Sequence, residues 1–109
     1  METTAALTVS AATVTAANSI DVTANSANAI NDSLTGGAGD DIFRFSTLGN
    51  AAALDASDTV NGGAGTDTLA ITAATNNLTA ATLTLVSNVE KITVTALGTE
   101  TAGITIADG

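Results

Sequence analysis
The chain has 109 residues, enough for one domain with one core. Alanine and threonine make up about 40% of it and aromatics 2%, namely Phe43 and Phe45, so it lacks the large side chains of a thick globular core. The net charge of −9 excludes binding to nucleic acid through phosphate neutralisation, and the lack of Cys and His excludes disulfides, thiolate sites and ordinary zinc chemistry.

In chain order, residues 1–4 carry neither a basic segment nor an apolar stretch of the kind a cleaved export signal needs. No run reaches the roughly 18 apolar residues that would span a membrane, so no membrane insertion is expected. Short runs of Thr alternating with apolar residues predict strands at 7–9, 13–15, 19–23, 42–45, 68–72, 82–86, 90–95 and 104–106. Residues 25–31, rich in Asn, read as turn material or an Asn ladder. Two patches, 50–57 and 78–85, have helical composition, although the Thr content of the second favours a strand. The chain is expected to be a single domain over 1–109. It divides into Thr/Ala-rich strands over 1–29, a repeat region over 30–71 and Thr-rich strands over 72–109.

The repeat is 15 residues long. Residues 31–45 align without gaps on 57–71, an offset of 26. Asp32 falls on Asp58 and Asp41 on Asp67, while Leu34, Phe43 and Phe45 fall on Val60, Leu69 and Ile71. Acids and core candidates therefore keep one register, which predicts one coil of a solenoid per repeat. Each copy contains a glycine turn, Gly36-Gly37-Ala38-Gly39-Asp40-Asp41 and Gly62-Gly63-Ala64-Gly65-Thr66-Asp67. Glycine tolerates positive φ and close backbone approach, so such a turn can aim several carbonyls at one point, with the sixth-position Asp adding a carboxylate. Hard oxygens of this kind suit calcium, which takes 6–8 of them, more than one turn supplies.

The pattern Gly-Gly-x-Gly-x-Asp-x-apolar-x resembles the RTX (hemolysin-type) calcium-binding nonapeptide repeat, most like the repeat regions of RTX-type bacterial S-layer and surface proteins. The resemblance implies an all-β fold, a right-handed parallel β-roll or β-solenoid with calcium in its glycine-rich turns. It implies metal ligation by Gly37, Gly39 and Asp41, with Gly36 and Ala38 facing the other side. The second copy would use Gly63, Gly65 and Asp67, with Gly62 and Ala64. Asp32 and Asp58 match the Asp of a preceding, glycine-poor nonapeptide. Family rolls stack turns 18 residues apart rather than 26, so residues around 46–55 must loop out or lengthen the coil.

The expected function is that of a secreted, non-enzymatic structural module at a bacterial cell surface. Its folding and self-association into a lattice or filament would depend on calcium, without a small-molecule substrate. The resemblance also implies type I secretion. An accessory module of a larger secreted adhesin or hydrolase is the alternative. A Thr-rich ice-binding solenoid, suggested by Thr13–Thr15, Thr66–Thr68, Thr82–Thr84 and Thr93–Thr95, is the weaker one. Arg44 is expected to face outward and pair with Asp40 or a neighbouring subunit. Asp40 is expected to be exposed, Asp21 has no readable partner, and Glu90 and Lys91 read as a solvent-facing turn.

Overall fold
The computed structural model describes residues 6–24, 30–46, 54–73 and 81–96. Strands β1 (Thr8–Ser10), β3 (Ser33–Thr35), β5 (Thr59–Asn61) and β7 (Val86–Ser87) form one parallel sheet. Strands β2 (Asp21–Ala24), β4 (Ile42–Ser46), β6 (Thr68–Ala73) and β8 (Lys91–Ala96) form the other, also parallel. Each odd–even pair of strands with its linking turn is one coil, and four such coils stack among the described residues.

The register explains the 26-residue repeat. Leu34 pairs with Val60, Phe43 with Leu69 and Phe45 with Ile71. Alternation sends these side chains inward, and their β-branched or aromatic neighbours fit a pleated, half-buried surface. Phe43, Leu34, Val60 and Leu69 are fully buried, and Phe45, Ile71, Ala24 and Leu54 complete the core. Each sheet thus contributes one apolar face, and the core between them is only as deep as two facing rows. That geometry is why so few large side chains suffice.

The flanking coils continue the same rows without sharing the motif. Val9 pairs with Leu34 and Val22 with Phe43, while Val60 pairs with Val86 and Leu69 with Ile92. The strands are equivalent, and the difference lies in the turns. The six residues that link β3 to β4 and β5 to β6 become ten between β1 and β2 and three between β7 and β8.

Some sequence expectations need correction. Residues 13–15 lie in the β1–β2 turn, not in a strand. The strand expected at 82–86 is a 3-10 helix, Ala81–Leu83, followed by β7. Strands β3 and β5 were not foreseen. They are three residues long, too short to display alternation, and their pairing is what fixes them. The helical reading of 50–57 falls partly outside the described residues; from Leu54 to Asp58 the chain is bend and turn. The strand expected at 104–106 and most of the Asn-rich stretch also lie outside them. The Thr-x-Thr pairs do not form one file, since Thr68 pairs with Lys91 and Thr93 with Ala70.

Candidate metal centre
The two glycine turns lie directly on one another. Gly36 N donates to Asn61 O at 2.8 Å, Ala64 N to Gly37 O at 3.0 Å and Thr68 N to Asp41 O at 2.8 Å. Glycine is required for this approach. A Cβ on Gly36 would meet the Gly62 carbonyl oxygen and Asp41 Oδ2. One on Gly62 would meet the Asn88 carbonyl oxygen and Asp67 Oδ2. Gly63 and Gly65 also adopt φ of 101° and 122°, a region L side chains avoid. In the first turn the glycines serve close approach alone, because the positive φ values fall in the second.

The acids form two ladders that run between coils. Leu7 N donates to Asp32 Oδ1 at 2.7 Å, and Asp32 N to Asp58 Oδ1 at 2.9 Å. In the glycine turns, Ile20 N donates to Asp41 Oδ1 at 2.8 Å, Asp41 N to Asp67 Oδ1 at 2.8 Å and Asp67 N to Glu90 Oε2 at 2.8 Å. Each carboxylate reaches back to the amide in register on the preceding coil. Asp32, Asp41, Asp58 and Asp67 are all buried. Burial pushes Asp58 and Asp67 above the ordinary Asp value of 3.8, and the facing carboxylates add to the effect.

Asp67 Oδ2 is the one buried side-chain oxygen without a hydrogen-bond partner among the described residues. A buried carboxylate oxygen with no donor and no counter-charge is costly, and a bound cation removes both deficits. The carbonyl that shares the space beside Gly62 with Asp67 Oδ2 is that of Asn88, and hard oxygens of this kind fit calcium. The Gly37 and Gly39 carbonyl oxygens lie in the space a Cβ would take on Gly63 and Gly65, and the Gly62 carbonyl oxygen in that beside Gly36, so these oxygens lie at the junction of the stacked turns. Among the described residues no three acids converge to chelate a metal by themselves, so backbone carbonyls must complete a shell.

Gly36, Gly37, Ala38, Gly39 and Asp41 are thus brought together with Gly62, Gly63, Ala64, Gly65 and Asp67. Asp32 and Asp58 are not part of this group. They precede β3 and β5, at the far ends of those strands from the glycine turns. Asp58 is also fully engaged, because its Oδ2 accepts from Asp55 N at 2.8 Å.

Other residues turn out differently from their sequence reading. Arg44 pairs with Asp21, not Asp40, through Nε–Oδ1 at 2.7 Å and Nη2–Oδ2 at 3.0 Å. That contact lowers the Asp21 pKa and raises that of Arg44. Asp40 is exposed as expected, yet its Oδ1 accepts from Thr66 N at 2.8 Å. Glu90 is exposed in a turn as expected, yet its Oε2 accepts from Asp67 N, which makes it the third acid of the ladder. The signal was present: Glu90 stands immediately before an alternating strand, as Asp41 and Asp67 do.

A family model, the RTX calcium-binding nonapeptide repeat, matches residues 26–46 and 52–70 in four copies. The matched segments contain both glycine turns and both Asp32 and Asp58. No curated protein and no solved structure matches the chain.

Proposed function
We propose, for a chain that carries RTX calcium-binding nonapeptide repeats, that it is a structural module of a secreted protein whose coils stack stably only when calcium is bound. The observation that carries this reading is the direct stacking of the two glycine turns, which sets the Gly62 carbonyl and Asp41 Oδ2 together in the space beside Gly36. Calcium would be held between the turns by Asp41, Asp67 and carbonyls from 36–39 and 62–65. It supplies positive charge to a buried acidic seam and leaves chemistry to other parts of a larger protein. Asp32 and Asp58 would work by capping backbone amides. The crossovers between parallel strands would be right-handed, the hand that strand twist imposes on such connections. The repeat type supports export by a type I route to the cell exterior.

The coupling follows from mass action. A ligand that binds only the stacked state at a hundred times its Kd contributes about 2.7 kcal/mol, comparable to the margin of a small domain. Circular dichroism and thermal melts with added calcium, then with chelator, test this. Calcium should raise Tm by about 10 °C or more, and chelation should reverse it. Asp41→Ala and Asp67→Ala should each blunt the response, whereas exposed Asp40→Ala should retain it. A melt indifferent to calcium would overturn the reading.

A further inference from the structure
The fourth coil matches no repeat, yet it is built like one. The register places Asn88 opposite Gly62 and Glu90 opposite Asp67, since Asn61 pairs with Ser87 and Thr68 with Lys91. The contacts that join coil 2 to coil 3 recur between coils 3 and 4. Gly36 N to Asn61 O becomes Gly62 N to Ser87 O at 3.0 Å, and Thr68 N to Asp41 O becomes Lys91 N to Asp67 O at 3.0 Å. Asp41 N to Asp67 Oδ1 becomes Asp67 N to Glu90 Oε2. Val89 alone replaces the four residues between the first and sixth positions. Asn88 makes the abrupt turn at φ 50°, a conformation Asn tolerates better than most residues.

The oxygens repeat as well. The space beside Gly36 is shared by the Gly62 carbonyl and Asp41 Oδ2, and the space beside Gly62 by the Asn88 carbonyl and Asp67 Oδ2. In the first pair Asp41 Oδ2 is engaged by Gly37 N at 2.6 Å, whereas in the second Asp67 Oδ2 is buried with no donor. We infer that the junction of coils 3 and 4 is a further divalent-cation site, formed by Asp67 Oδ2, the Asn88 carbonyl and the carboxylate of Glu90. Its ligands on coil 4 belong to no glycine motif and lie beyond the matched segments. The site ties the motif-free coil to the metal, so calcium sets the docking of β7 and β8 as well as that of the repeats. This rests on the calcium-binding reading above and adds a site to it.

Isothermal titration with calcium on the full chain tests it. Glu90→Gln keeps an acceptor for Asp67 N and removes the charge. It should bind one ion fewer per chain, or bind its weakest ion at least ten-fold less tightly, with an unchanged circular dichroism spectrum at saturating calcium. Asp55→Asn, an equal charge change on a turn remote from the glycines, should match the unaltered chain. Glu90→Gln binding like the unaltered chain would overturn this site and leave the repeat sites standing. So would equal losses in both variants, which would reduce the effect to net charge. An unaltered chain that binds no calcium would overturn the site together with the function on which it rests.

Discussion

The same residue type has two duties in this chain. Asp58 is satisfied by the amides of Asp32 and Asp55, whereas Asp67 keeps one oxygen without a donor. Both carry pKa values raised above 3.8 by burial. The folded state therefore binds more protons than the unfolded chain between 3.8 and the raised values, and stability falls as pH rises through that window. Without calcium, acidification from neutral toward pH 3.8 should raise Tm, because protons neutralise the seam. With calcium, the same acidification should lower the calcium-dependent part of Tm, because protons compete for the ligand oxygens. Melts across pH with calcium or chelator read both signs; a Tm in chelator that falls monotonically on acidification would contradict the first. Asp21 acts oppositely, since Arg44 lowers its pKa, but its effect falls below pH 3.8. The glycine–aspartate turns were legible in the sequence because two copies kept register. Glu90 holds the matching place before a strand but stands outside any glycine motif, so its role emerged only once a neighbouring coil placed Asp67 N against it.

At the level of strands, the rows Leu34–Val60 and Phe43–Leu69 hold the two sheets together. Phe43 is fully buried between rows on both sides, so Phe43→Ala should cost about 3–5 kcal/mol. Chemical denaturation at saturating calcium measures this, and a cost below about 1 kcal/mol would mean that the core is not continuous across coils. The longer strands were readable because five or six alternating residues declare a face. Strands β3 and β5 were hidden because three residues declare none, and residues 82–86 misled because Thr alternation also suits the 3-10 turn that precedes β7. The flanking coils escaped detection for a related reason: their strands follow the pattern, but their turns have ten and three residues instead of six.

At the level of the whole molecule, the described residues form four stacked coils with β1 and β2 at one side and β7 and β8 at the other, and strand edges favour pairing with another chain. If the module assembles into a lattice or filament, electron microscopy with calcium should show ordered arrays that chelator disperses. Dispersed particles in both conditions would favour the accessory-module reading. The ladders bear on how copies could meet. A carboxylate always serves the amide of the coil before it, and in the first coil the corresponding positions hold Leu7 and Ile20, which donate amides but bring no acid. Among the described coils the ladders therefore have a direction, each acid fastening its own coil to the one before it. Calcium would act along that direction, closing each coil on its neighbour, so any array of copies would depend on coils that the ion has first closed.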